Sequence, residues 1–403
     1  MSKEENRKNF SKYVSQNILG MIGFSCYVLA DSYFISIAKG ADGLTALNLV
    51  MPLYSIIFSI GEMIGVGSAI RYAISKIKKD ADADDYFWNA LIWCILSSML
   101  FVFAGIFFSA DIMRVLGADE HIVAVGNNYT KIFMCFAPMF MCNYVTNAFV
   151  RNDGAPGIAM SATLFSSLFN IVFDYILMFP MNLGMEGAAL ATALSPIIGM
   201  GICSIHFFSK KSSVRLVVCK PSVRKLVAGS QLGVSAFVGE MSSAVITLAF
   251  NFVILKLAGN VGVAAYGVVA NIAIVTTAVF NGVAQGSQPL ISSCFGRGDK
   301  DGCTQLKRMG YTTAFVLAAV MYSILFIFAG QFVAVFNSEG SEMLRLYATE
   351  GVKLYFIGIF FAGINIVGGG AFSATEDAFK AAVVSVARGF VLILGAVFVM
   401  SAL

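Results

Sequence analysis

SLFNIVFDYILMF, residues 167–179, carries strongly polar side chains at only two places, Asn170 and Asp174. Those two stand four residues apart, so on a helix they share one face. An acid in hydrocarbon costs roughly 3 kcal/mol even on a lenient insertion scale. A chain tolerates it when the acid faces the interior of a helical bundle or a wet cavity, and such an acid is a functional candidate by default. A second acid, Asp31, sits near the end of another apolar run, YVSQNILGMIGFSCYVLADSYFISI (13–37). Asp31, Asn170 and Asp174 are therefore expected to form one cation or proton site, carried by spans that exist to move it.

Working outward, the rest of the chain has the same character. Of its 403 residues 58% are hydrophobic and only 12% charged, about half the charge of a soluble protein. Runs long enough to cross a bilayer recur at 13–37, 45–70, 87–109, 124–150, 158–179, 186–208, 228–256, 263–292, 309–335, 343–372 and 379–401. The fold class is an all-α polytopic membrane protein, with the lipid bilayer as its first partner. The first run is too long for a signal-peptide core and is read as a retained span. The eight cysteines fall in spans or on the basic side, so neither disulfides nor zinc are expected. No basic patch with interleaved aromatics occurs, which argues against a nucleic-acid partner.

Lysine and arginine set the orientation. Twenty of the 27 fall in the N-terminus and the even-numbered loops, Arg151 counted among them. That places the N-terminus in the cytoplasm, and the expected location is a bacterial plasma (inner) membrane. The longest basic loop, 209–227, divides the chain into an N-terminal lobe (1–208, spans one to six) and a C-terminal lobe (228–403, spans seven to eleven). It is the expected hinge.

The halves repeat. A shift of 219 lays 20–68 on 239–287 without a gap and brings Gly20, Gly40, Gly43 and Gly67 onto Gly239, Gly259, Gly262 and Gly286. A shift of 223 lays NAFVRNDGA (147–155) on GAFSATEDA (370–378). Six spans per half give both halves one orientation, a parallel repeat about an axis along the membrane normal. The repeat of span six would fall near 409–430, past Leu403, so the twelfth helix is expected to be absent from this chain. The acids do not repeat: Asp31 maps to Phe250, Asn170 to Ile393 and Asp174 to Val397. An architectural role would have repeated with the scaffold, so the difference favours function. Glu62, in span two, maps to Asn281. Arg388, two turns into the last span, is expected to snorkel to the basic side. Pro52, Pro138, Pro196 and Pro289 lie inside spans and are expected to bend them.

At this point the residues resemble those of the multidrug and toxin extrusion (MATE) transporters. The resemblance covers nearly the whole chain. It is carried by ADSYFISIAKGADGLTALNLVMPL (30–53), IGVGSAIRYAISK (64–76), AAYGVVANIAI (264–274) and, most specifically, GVAQGSQPLISSCFGRGD (282–299). It implies two six-helix lobes forming a V, whose cleft opens alternately to each side. It also implies export of bulky, often cationic organic compounds in exchange for protons or sodium ions. Carried over by position, it implies an N-lobe cation site at Asp31, Asn170, Asp174, Ala188 and Thr192. A sodium shell would come from Asp31, Asn170, Asp174 and Thr192, with the Ala188 carbonyl. Glu240 falls on an acid that some members use in the other lobe, and the acid they pair with it is replaced here by Asn365. The proline often found in the first span of each half is missing. With Glu62 and Asn281, Glu240 and Asn365 are the substrate-cleft candidates.

The predicted function is thus a cation-coupled multidrug exporter acting on small organic cations as a monomer. No cofactor is expected beyond the coupling proton or sodium ion. An alternative on the same scaffold is a flippase or exporter of lipid-linked saccharide precursors. It would want several basic residues in the cleft, where the spans supply only Arg388. An intramembrane enzyme would need a nucleophile with a base or a metal cluster, and no HExxH, GxSxG or phosphate-loop motif occurs.

Overall fold

The computed structural model describes residues 3–336 and 341–402; Met1, Ser2, 337–340 and Leu403 lie outside them. Every regular element among the described residues is helical. This follows from the run lengths, because in hydrocarbon a backbone must satisfy its own hydrogen bonds and an open strand cannot. The spans are α1 (Lys3–Gly40), α2 (Asp42–Lys78), α3 (Asp85–Val115), α4 (Glu120–Cys135 and Ala137–Asn152), α5 (Pro156–Met178), α6 (Gly184–Phe207), α7 (Val223–Gly259), α8 (Val261–Gly296), α9 (Lys300–Ile327), α10 (Glu342–Ser373) and α11 (Ala378–Val397). These eleven match the apolar runs one for one. The two segments of α4 meet at 46°, just before Pro138.

The repeated glycines explain themselves. Gly40 and Gly259 take φ of 58° and 62°, a conformation that costs glycine little, and each turns a long helix into the next within one residue. Their companions Gly43 and Gly262 let that corner close. A Cβ at Gly43 would stand 3.0 Å from Ile35 Cγ2, and one at Gly262 2.8 Å from Ile254 Cγ2. The same two glycines thus make the same corner in each half.

The buried apolar residues fall mainly into two clusters. One is built from α2, α3, α4 and α6, the other from α8, α9 and α10. Phe10 and Val14, at the start of α1, belong to the second cluster, so the first helix leans across to the opposite lobe. The lobes meet on the basic face, the end of the bundle that carries the N-terminus. Glycines are the means. Gly67 lies against Gly229 and Gly233, and Gly286 against the backbone of Tyr13 and Val14. Close backbone approach is how helices associate where lipid removes the hydrophobic drive. Polar contacts complete the seam: Asn6 Nδ2 donates to Gln305 Oε1 (3.3 Å), while Glu376 accepts from Arg71 and from Lys78. Farther along, α1 packs on α5 of its own lobe, where Phe34 meets Tyr175 and Phe179. The two lobes thus diverge away from the basic face.

The segment between the lobes is fastened along the N-terminal one. Asp153 accepts from the Ser213 backbone N–H (2.9 Å) and from Ser212 Oγ (3.2 Å), and pairs with buried His206 (2.8 Å). Arg215 N–H donates to Asp84 (3.2 Å) and Ser222 N–H to Asn89 (2.6 Å). Residues 223–227, read from sequence as linker, are the first turn of α7, capped by Ser222. The segment expected to be the hinge is thus strapped to the N-terminal lobe.

Candidate functional site: a cleft with two unlike arms

Between the diverging lobes lies a cleft with two arms, about 320 Å³ on the N-lobe side and about 550 Å³ on the C-lobe side. They share a lining at the apex that includes Phe24, Glu62, Glu240 and Gln285.

The N-lobe arm holds the predicted acids. Asp31 is 7% exposed, Asn170 and Asp174 are fully buried, and Thr192 and Ala188 are buried on α6 beside them. The Asn170 amide, with oxygen and nitrogen assigned by its network, donates to Asp174 Oδ2 (3.1 Å) and accepts from Thr192 Oγ1 (3.1 Å). The spacing of four on α5 has therefore done what it promised: it sets amide and acid in one hydrogen-bonded column facing α6. Tyr27 and Tyr54 share the lining of this arm with Asp31. Tyr54 and Tyr129 hydrogen-bond to each other, and Tyr54 stacks on Phe133 with ring centres 3.6 Å apart. That wall is rigid and aromatic. Asp31 and Thr192 reach the cleft lining, while Asn170 and Asp174 stand behind them.

Two acceptors here lack partners. Asp31 Oδ1 and Asp174 Oδ1 are buried without a hydrogen bond to any described residue. Buried polar atoms are nearly always satisfied, and an exception in a native fold needs a reason. A proton on one acid, or a sodium ion between them, would supply it. The oxygens of Asp31, Asp174, Asn170 and Thr192 are the hard donors a sodium ion takes. The ion would be a co-substrate here and not a resident cofactor.

The other four candidates also line the cleft. Glu62 stands at the apex and faces both arms, as does Glu240; Asn281 and Asn365 line the C-lobe arm. Two basic residues sit where sequence reasoning did not put them. Arg151, counted as a loop residue, lies within α4 at 4% exposure. Its Nη1 donates to Gln285 Oε1 (2.6 Å) and Asn17 Oδ1 (3.3 Å), and Gln285 Nε2 donates on to Glu62 Oε1 (3.0 Å). Gln285 comes from α8, so this chain ties the lobes together at the bottom of the cleft. The signal was present: Asn143, Asn147 and Arg151 recur every fourth residue, a polar stripe on α4 that the loop reading cut short. Arg388, expected to snorkel, instead lines the C-lobe arm. It lies in a π-helical stretch, Ala387–Leu392, whose Gly389 packs so tightly on Ser242 that a Cβ would come within 2.6 Å of its hydroxyl. That contact holds α11 against α7 and turns Arg388 along the cavity wall.

Multidrug export protein MepA of Staphylococcus aureus is 27% identical over 398 residues, covering 96% of this chain and 85% of that protein. A MOP superfamily transporter from Pyrococcus furiosus has a TM-score of 0.91 at 20% identity, over 98% of this chain and 89% of its own. An outward-facing multidrug resistance transporter of the MATE family has a TM-score of 0.90 at 20% identity, over 97% and 87%. The MatE family model matches residues 17–176 and 236–399, which together take in each repeat and carry Asp31, Asn170, Asp174, Glu240 and Arg388; the chain belongs to the MatE family of membrane transporters.

Proposed function

We propose that this protein is a secondary active antiporter that exports bulky, often cationic organic compounds in exchange for protons or sodium ions, by alternating access. The observation that carries the reading is the pair of orphaned carboxylate oxygens on Asp31 and Asp174 beside a cleft that is closed at the basic face. Placing the basic face in the cytoplasm of a bacterial plasma membrane makes the present arrangement outward-facing. The staphylococcal relative at 27% identity is a multidrug export protein, which favours the same direction of transport.

The mechanism follows from charge. In the outward-facing state an ion from outside reaches Asp31 along the cleft and neutralises the acid pair. The column of Asn170, Asp174 and Thr192 then repacks against α1. The cleft loses negative charge, its hold on a cation weakens, and the cation leaves outward. The empty carrier returns with the ion bound and releases it to the cytoplasm. The test is efflux of a fluorescent cation from proteoliposomes under an imposed proton gradient, and separately under a sodium gradient. Export driven by at least one gradient, and by no other energy source, is expected. Equal dye movement with and without either gradient would rule the reading out.

A further inference from the structure

The strap between the lobes, residues 209–222, lies outside the spans, yet it exposes apolar side chains. Leu216, Val217 and Val218 are exposed in succession, Val218 at 76%, and Phe208 just before the strap is 82% exposed. An exposed apolar run outside the hydrocarbon marks a place where something docks. Five basic side chains are interleaved with it: Lys210, Lys211, Arg215, Lys220 and, in the first turn of α7, Arg224, all exposed. None of the five side chains makes a hydrogen bond or ion pair with a described residue. The acids beneath them are already taken. Asp84 pairs with Lys76 (2.7 Å) and Asp85 with Lys225, and from Arg215 Asp84 receives only the backbone N–H. The strap is thus fastened inward by its backbone, and its charges are left facing outward.

Tryptophan gives the depth. The chain has two, Trp88 and Trp93, both within the first three turns of α3. Tryptophan concentrates at the headgroup level of a bilayer. Asn89, next to Trp88, accepts the Ser222 N–H and donates to Cys219 Sγ (3.1 Å), so the strap crosses the bundle at that same level. We propose that the strap is a lipid-docking surface, which takes the anionic phospholipid headgroups of the basic-face leaflet. The lysines and arginines meet the phosphates, while Leu216, Val217 and Val218 enter the boundary with the acyl chains. Charge and depth together select this occupant: a soluble acidic partner would have to displace the headgroups already at that level. Because the same segment joins the lobes, lipid held there fixes their connection to the leaflet. The assignment stands whatever the cleft carries.

The two tryptophans make the test direct. Full-length protein is reconstituted in bilayers mixing brominated phosphatidylcholine, which quenches tryptophan, with unbrominated phosphatidylglycerol. Protection from quenching then reads the local preference for the anionic lipid. Wild type should prefer phosphatidylglycerol by about fivefold at low salt, the scale of one basic contact at a charged leaflet, and lose most of that preference in about 0.5 M salt. Changing all five strap residues to Gln should abolish it. Removing five other exposed charges of the basic face (Lys12→Gln, Lys79→Gln, Arg297→Gln, Lys300→Gln and Arg308→Gln) should leave it within about twofold. An equal loss in both variants, or no preference in wild type, overturns the proposal. If the strap variant does not fold, a nitroxide at Val218→Cys, with the native cysteines replaced, decides alone. Oxygen should reach it better than a water-soluble nickel chelate in phosphatidylglycerol-containing bilayers, and the balance should move toward the chelate in pure phosphatidylcholine. A label as open to the chelate as one at Lys300→Cys in both bilayers overturns the proposal and leaves the face to a soluble partner. Shielding from both quenchers that fades on protein dilution puts a second copy there, and overturns it too.

Discussion

The two lobes share a skeleton and differ in what they bury. At the corner glycines they are nearly superimposable in conformation, with φ of 58° at Gly40 and 62° at Gly259. Nine residues before each corner they part. Asp31 sits with an unpaired oxygen among tyrosine hydroxyls. Its mate Phe250 stacks on Tyr266 with ring centres 5.0 Å apart and planes inclined by 11°. Opposite these, Asp174 and Asn170 form a polar column where the C-lobe has Val397 and Ile393. A duplicated scaffold therefore supports two chemistries. The N-lobe arm, about 320 Å³, carries Asp31 with Asp174 behind it, and the C-lobe arm, about 550 Å³, carries Glu240 and Arg388; under the proposed function the first would take the small ion and the second the organic molecule. Under the proposed function, division of labour between arms is the simplest way for one cleft to couple two solutes: they need not compete for one spot, only for one conformation.

Removing an acid should break the contrast with the largest effect. Asp31→Asn keeps shape and loses charge. Gradient-driven export is expected to fall by about 10²-fold or more, as when one member of a unit that acts together is lost. The protein should remain folded and in the membrane, and the double change with Asp174→Asn should be no worse than either alone. Initial efflux rates at matched protein density check this. Wild-type rates in Asp31→Asn would mean the site is misassigned, with Glu240 next in line.

The glycine seam comes second. Gly67 and Gly286 are repeat mates, and each lets its lobe approach the other's backbone. A Cβ at Gly286 would stand 2.8 Å from Val14 Cα, where neither side can yield cheaply. Gly286→Val should open the basic face and slow turnover by about tenfold, in line with an overpacking cost of ~1–3 kcal/mol. Gly267, with nothing within 4 Å of its missing Cβ, is the control, and Gly267→Ala should be silent. If both variants turn over like wild type, the closed seam is not a working state.

Arg151 offers a middle-sized test, and it also marks where sequence reading stopped. The spans, the corners and the Asn170–Asp174 face could be read directly, because each rests on local periodicity or on a glycine with one use. The charge at the apex could not. Arg151 precedes Asn152, Asp153 and Gly154, and looks like one more basic loop residue until α4 is seen to carry it into the interior. Its partner Gln285 lies in the other lobe, and no spacing along the chain connects them. Arg388 was misplaced for a related reason: snorkelling assumes a regular helix, and the π-stretch changes where the side chain points. Arg151→Gln should take the charged donor from Gln285 and Asn17 and, through Gln285, the positive charge that faces Glu62, lowering stability by about 1.5–3 kcal/mol. Adding Glu62→Gln should return most of it. Thermal unfolding of the four proteins in detergent closes the cycle, and strict additivity would show that Gln285 transmits no coupling between the two.

The smallest effect is expected where the repeat has been turned to opposite purposes. Asp153 and Glu376 are mates under the shift of 223. Asp153 stays within its lobe, buried with His206 and the strap residues Ser212 and Ser213. Glu376 reaches across to the other lobe, taking Arg71 and Lys78 with side chains roughly a quarter to a half exposed. Exposed pairs of this kind contribute at most about 1 kcal/mol and weaken with salt. Glu376→Gln should therefore shift the balance between closed and open basic faces by no more than about fivefold. Asp153→Asn should leave that balance alone and loosen the strap instead. Spin labels at Lys79 and Lys300, on a background with the native cysteines replaced, would report the separation of the basic-face ends. In Glu376→Gln a longer-distance population should grow, and raising the salt should produce the same growth in wild type but little more in the variant. If Asp153→Asn moves the distances and Glu376→Gln does not, the strap and not the cross-lobe pair governs closure, and the hinge belongs where the sequence first suggested it.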